Sequence, residues 1–150
     1  MRVVIQRVQC CSVEVEGKTI GEIGKGLAIL LGIEEADTQE DIDWLCGKVA
    51  RLRIFDDENG VMNCDIRQAK GRAIVISQFT LFASTKKGNR PSYIRSAGEA
   101  VARPMYEKFL KTLSEVLGKE VEHGEFGADM QVSLVNDGPV TICIDSKNRE

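Results

Sequence analysis

From Val3 to Val15 the chain is dense in β-branched residues, Glu16-Gly17-Lys18 offers a turn, and Thr19 to Ile23 can return as the second arm of a hairpin. Gly24-Lys25-Gly26 breaks the chain before Leu27-Ala28-Ile29-Leu30-Leu31-Gly32-Ile33, a continuous apolar run expected of a strand covered on both faces. Thr38 followed by Asp41 resembles a capping box, and Ile42, Leu45, Cys46, Val49 and Leu52 recur at the spacing of one helical face. Asp56 to Gly60 reads as a surface turn, and Ala73 to Ile76 as a buried strand running into Ser77-Gln78-Phe79-Thr80-Leu81. Past a polar loop from Ser84 to Ser92, Ser96 and Glu99 repeat the capping pattern and Pro104 suits a helix start. Met105, Phe109, Leu113, Val116 and Leu117 share a face that Gly118 ends. Glu120 to His123, Met130 to Val135 and Val140 to Ile144 alternate like strands, which makes Asn136-Asp137-Gly138-Pro139 a hairpin turn.

With 43% hydrophobic and 29% charged residues, a chain of 150 residues suits one domain over 1–150 with one core. Aromatics make up only 5%, so the core must rest on Val, Ile and Leu, which points to a strand-rich α/β or α+β protein. There is no internal repeat, linker or low-complexity stretch. Polar residues interrupt Met1-Arg2-Val3-Val4-Ile5-Gln6-Arg7 before a signal-peptide core could form, and no run is long enough to span a bilayer; a cytoplasmic protein without a membrane partner is expected. The cysteines, Cys10, Cys11, Cys46, Cys64 and Cys143, are odd in number and lack Cys-x-x-Cys spacing, so they read as reduced, mostly buried thiols.

A net charge of −3 argues against coating nucleic acid by bulk electrostatics, although Lys86, Lys87, Arg90 and Arg95 form a local basic cluster. His123 is the only histidine and has no neighbouring Ser or Cys signature, which disfavours a Ser-His-Asp or Cys-His mechanism. The acidic clusters at Asp56 to Glu58 and Glu34 to Asp43 lack His or Cys partners, so no metal and no cofactor is expected.

Ser77-Gln78-Phe79-Thr80 places hydrogen-bonding side chains where a buried strand would continue apolar. Those groups either satisfy backbone at a strand edge, or face a cleft where backbone N–H groups and the Thr80 hydroxyl bind an oxygen that gains negative charge. Proline directly after glycine in Asn136-Asp137-Gly138-Pro139 gives up a donor and admits a cis bond, so this turn can aim carbonyls where ordinary hairpins do not.

Ser-Gln-Phe-Thr-Leu at 77–81 together with Asn-x-Gly-Pro-Val-Thr at 136–141 resembles the paired signature of the D-aminoacyl-tRNA deacylases. The start Met-Arg-Val-Val-Ile-Gln-Arg-Val, the Gly88 to Tyr93 loop and Gly124 to Met130 are also similar to that family, so the likeness spans nearly the whole chain. It implies mixed β-sheets forming a barrel-like core packed with two main helices, and a homodimer with active sites at the subunit interface. It further implies hydrolysis of D-aminoacyl-tRNA, and of mischarged glycyl-tRNA, with L-amino acids rejected by a cis Gly138-Pro139 whose carbonyls enter the other subunit's pocket. In that scheme Ser77, Gln78, Phe79 and Thr80 form the catalytic wall, with Thr80 either a positioning group or a nucleophile. Arg7 braces the Gly-Pro turn, and Asn136, Phe126 and Met130 contribute to substrate binding. Two other readings of the residues stand beside it: a non-catalytic RNA-binding module using the basic cluster, and an esterase acting on small molecules.

Overall fold

A computed structural model describes residues 1–150. Its elements are β1 (Arg2–Val15), β2 (Lys18–Ile23), β3 (Gly26–Gly32), α1 (Gln39–Arg51), β4 (Phe55–Asp56), β5 (Met62–Cys64), β6 (Arg72–Ser77), a 3-10 turn at Phe79–Phe82, α2 (Glu99–Leu117), β7 (Glu122–His123) and β8 (Gln131–Asp145). The main sheet runs β2-β1-β3-β6-β7, with β8 on the remaining edge of β1. Antiparallel β1–β2 and β1–β3 pairs are followed by parallel β3–β6 and β6–β7 pairs. The two ends of this path meet: a Cβ placed on Gly21 of β2 would stand 2.6 Å from the His123 carbonyl oxygen of β7. The sheet is therefore a nearly closed, barrel-like structure with two helices packed against it, the mixed α/β class expected.

Glu16 (φ 51°) and Gly17 (φ 76°) both take positive φ at the β1–β2 turn, as a hairpin turn matched to strand twist requires. β3 is buried along nearly its whole length, because alternate residues serve two cores. Leu27, Ile29 and Leu31 join Ala73 and Val75 of β6 under the helices, whereas Ala28, Ile74 and Ile76 line the barrel interior with Val8, Cys11, Val13 and Ile23. β1 supplies odd-numbered Val3 and Ile5 to the helix side yet odd-numbered Cys11 and Val13 to the barrel side. The register against β8 explains this, since Val8 pairs with Asn136 and Cys10 with Val135, leaving Gln9 as a bulge that reverses which face each later residue occupies.

The Thr38–Asp41 capping box starts α1, which buries Ile42, Leu45, Cys46 and Val49; Leu52 lies at its C-cap, partly covered. α2 departs from expectation at its start. Gly98, not Ser96, is the N-cap, and Pro104 lies inside the helix. Ser96 is diverted: its hydroxyl donates to the Phe79 carbonyl over 2.8 Å. The buried face of α2 is Ala102, Tyr106, Phe109 and Leu113, with Val116 exposed, because the Tyr106 hydroxyl finds the Val75 carbonyl at 2.8 Å and can be buried without losing its hydrogen bond. The expected Asp56 to Gly60 turn joins a short β4–β5 hairpin.

The cysteines are all unpaired, but only Cys11 and Cys46 are buried; Cys64 is half-buried and Cys10 and Cys143 are exposed, which corrects the expectation that most would be interior. Burial pushes the Cys11 thiol up to about 11 and the Cys46 thiol up to about 12, so both stay protonated. Neither helix is long and apolar enough to cross a membrane.

The largest correction concerns the last two strands. Met130 to Val135 and Val140 to Ile144 are not arms of a hairpin but the two halves of one strand, β8, lying antiparallel along β1. The Asp137 to Val140 segment bulges from the middle of that strand. Between the Gln6–Thr141 and Val8–Asn136 pairs, β1 supplies only Arg7 while β8 supplies Asp137, Gly138, Pro139 and Val140. Local sequence favours a turn there, but the ladder partners on both sides belong to β1, and a bulge satisfies both.

Candidate active site

β6 ends at Ser77, and the chain then tightens into the 3-10 turn instead of continuing as a strand. The Gln78 amide still donates to the Leu31 carbonyl at 2.8 Å, which holds the turn on the end of β3. Gly32 makes that seat possible: a Cβ there would stand 2.9 Å from Leu81 Cβ and 3.1 Å from the Gln78 carbonyl oxygen. Within the turn, Leu81 donates to Gln78 and Ala83 to Thr80. The amides of Phe79 and Thr80 come too early for a partner inside a turn of this kind.

A cavity of about 320 Å³ opens beside this turn, lined among others by Ser77, Gln78, Phe79, Phe126 and Met130. Gly124 accommodates Met130, for a Cβ there would lie 2.5 Å from its sulfur. Phe126 packs against Tyr106 with ring centroids 5.7 Å apart, beneath the Arg103 guanidinium at 4.9 Å. Ala97, Ala102 and Ala128 keep the cavity open, a contribution sequence reasoning missed because small residues carry no chemical signature. Tyr93 lies outside the cavity lining and reaches it only through Phe79. Its ring meets Phe79 edge-on at 5.1 Å, a contact between residues far apart in sequence.

Thr80 is not part of the cavity lining. Its hydroxyl accepts a 2.5 Å hydrogen bond from Gln78 Nε2, and no base stands behind it. His123 is exposed and has a ring nitrogen 2.7 Å from the Gly124 carbonyl, and it borders a separate cavity with Arg103 and Tyr106. No three His, Cys, Asp or Glu side chains gather in a metal-holding group. A larger cavity of about 550 Å³ lies between α1 and the C-terminal half of β8, around Trp44, Lys48 and Ile142, and meets the two signatures only at Leu81.

Asn136, Gly138 and Pro139 are exposed on β8, and the Gly138–Pro139 peptide bond is cis. Gly138 has φ 132°, and a Cβ on it would lie 2.9 Å from the Val140 side chain and 3.0 Å from the Val140 amide. Arg7 is the brace beneath. Only 7% exposed, it donates from Nε to the Asp137 carbonyl at 3.0 Å and from a terminal nitrogen to the Ile54 carbonyl at 2.6 Å, with the Asp137 and Asp56 carboxylates at 3.3 and 3.4 Å.

The two signatures do not meet within one chain. Arg7 is level with Leu27 on β3, whereas Ser77 is level with Leu31, so the segments are offset by about four residues, or ~13 Å, along the strand direction. β1 and β3 also lie between them.

The model of the D-Tyr-tRNA(Tyr) deacylase family matches residues 4–145. The chain is 65% identical to a D-aminoacyl-tRNA deacylase of Bacteroides fragilis and 63% identical to one of Flavobacterium johnsoniae, over the full length of each. Among solved structures, it is similar to a c-Myc DNA unwinding element binding protein, at 37% identity and a TM-score of 0.92, covering 97% of this chain and 98% of that one. A probable eukaryotic D-amino acid tRNA deacylase shares the fold at a TM-score of 0.80 and 15% identity, covering 95% and 97%.

Proposed function

Because the chain belongs to the D-Tyr-tRNA(Tyr) deacylase family, we propose that it hydrolyses the ester joining a D-amino acid to tRNA in the cytoplasm, and that it does so as a homodimer. The cavity beside Ser77-Gln78-Phe79 receives the aminoacyl end. Water attacks the ester carbonyl, the oxygen that gains charge is held by the amides of Phe79 and Thr80, and the ribose oxygen leaves with a proton that originates from the water. An aminoacyl ester is activated enough that orientation and oxyanion stabilisation carry most of the task, and the neighbouring ribose hydroxyl can position the water. Thr80 acts as a positioning group, a role supported by its hydrogen bond from Gln78 and its lack of a base.

The observation that carries the chiral reading is the exposed Gly138-Pro139 bulge, which lies about four residues along the strands from the pocket of its own chain. β8 is an edge strand, mostly exposed along its length, with Val132 and Val135 at the surface. An edge of this kind invites a second copy. In the dimer, each Gly138-Pro139 enters the partner's pocket, where its carbonyls hold the α-amino group and leave room for hydrogen but not for an L side chain. Glycine has no side chain to reject, so glycyl-tRNA is a substrate as well.

The test is deacylation of D- and L-tyrosyl-tRNA by wild type and Thr80→Ala. Rapid loss of the D form only, with Thr80→Ala within about tenfold of wild type, is expected. Equal rates on both enantiomers would refute the exclusion mechanism, and a collapse of turnover in Thr80→Ala would make Thr80 the reacting group.

A further inference from the structure

The chain as a whole carries a charge of −3, yet the loop beside the pocket bears only cations. Ser84 and Ser92 close its neck through reciprocal amide-to-carbonyl hydrogen bonds of 2.8 and 2.9 Å. Between them stand Lys86, Lys87 and Arg90, all exposed, with no acidic residue in the loop. None of the three takes part in an ion pair. Arg95 differs: it pairs with Glu34 at 3.3 Å and lies 5.4 Å from the Phe82 ring centroid, so its charge is used within the protein.

The neck is fixed to the pocket. Tyr93, the residue after Ser92, meets Phe79 edge-on, and Ser96 donates to the Phe79 carbonyl. With a tip four residues beyond Ser92, the loop reaches at most ~13 Å from that anchor. It can therefore touch only the part of a large ligand that lies next to the reacting end.

We infer that Lys86, Lys87 and Arg90 receive the phosphodiester backbone of the RNA whose aminoacylated 3′ end enters the pocket. The inference rests on the deacylase reading above and adds the path by which the nucleic acid leaves the site. Three unpaired cations on one short loop complement a polyanion, and contacts to phosphate give affinity and register without reading sequence. Such contacts reside in KM and its salt dependence, not in the chemical step.

The test compares wild type with a Lys86→Ala, Lys87→Ala, Arg90→Ala triple variant on D-tyrosyl-tRNA and on D-tyrosyl-adenosine, across a range of salt concentrations. On the tRNA ester, KM should rise about tenfold or more with kcat nearly unchanged, and the log–log salt slope should shrink by about 2 to 3. The adenosine ester should be cleaved equally by both proteins. The charge-preserving Lys86→Arg, Lys87→Arg, Arg90→Lys variant should restore KM. Unchanged KM and slope on tRNA would overturn the proposal, as would an equal loss on the adenosine ester, which would mean that the loop supports the pocket. If wild type cleaves neither ester, the deacylase reading fails by itself. Binding of uncharged tRNA then decides the patch: weaker binding by the triple variant supports it, and equal affinity overturns it.

Discussion

Arg7 Nε donates to the Asp137 carbonyl over 3.0 Å, joining the one residue that β1 supplies opposite the bulge to the first residue of the bulge itself. Arg7→Ala would leave that carbonyl and the Ile54 carbonyl without a buried partner. A loss of about 2 to 4 kcal/mol in urea unfolding is expected. Arg7→Lys keeps the charge but cannot span both carbonyls, so it should fall between the two and relax the D-to-L rate ratio more than it lowers stability.

Gly138→Ala places a methyl group against Val140 at a φ of 132°, where an L residue is strained. Loss of activity with little change in expression or oligomeric state is expected. If each site combines two chains, mixing this variant with a pocket variant whose own turnover is lost, such as Gly32→Ala, under subunit exchange should restore roughly a quarter of wild-type activity. Recovery absent from mixed dimers verified by mass would show that both elements act from the same chain.

Gly32→Ala and Gly124→Ala test two close approaches that differ in what must yield. At Gly32 the obstacle is the Gln78 carbonyl and the Leu81 Cβ, so the 3-10 turn has to move, and kcat should fall at least tenfold. At Gly124 the obstacle is the end of the Met130 side chain, which can rotate away. That variant should retain most turnover while KM rises.

Asp41 gives the fold an acid limit. Burial alone would raise its carboxyl, but hydrogen bonds from Lys147 (2.8 Å), the Ser146 hydroxyl (2.6 Å) and the Thr38 amide (2.8 Å) outweigh it and hold the group well below the usual carboxylate range. Its folded value lies below its unfolded one, so its stabilisation is complete above about pH 4 and is lost as pH falls through the folded value. Asp37, raised by burial, contributes with the opposite slope. Asp41→Asn should cost ~1 to 3 kcal/mol at pH 7 and flatten the decline in urea midpoint below pH 4.

How much of this was legible depended on the range of the interaction involved. The α1 capping box, the β1–β2 turn and the doubly buried β3 follow from spacings of a few residues, and the structure contains each. Ser96 satisfied the same local rule as Thr38 yet went to the Phe79 carbonyl, a partner 17 residues away that no local pattern encodes. The last hairpin failed for a related reason. Turn residues flanked by two apolar runs describe a bulge as well as a turn, and only the pairing with β1 distinguishes them. Within the site, Ser77, Gln78, Phe79, Phe126 and Met130 do converge on one cavity. Asn136, Gly138, Pro139 and Arg7 lie elsewhere in the chain, a separation set by strand register, which is a property of the whole sheet.

Strand pairing on both sides of the Asp137 to Val140 bulge has a thermal consequence. A surface loop can loosen on warming while its scaffold stays folded, but this segment is clamped by ladder bonds to β1 before and after it. The cis Gly138-Pro139 backbone can disorder only when the barrel does. Heat inactivation should then coincide with global unfolding, with no temperature interval in which a folded protein has already lost its site.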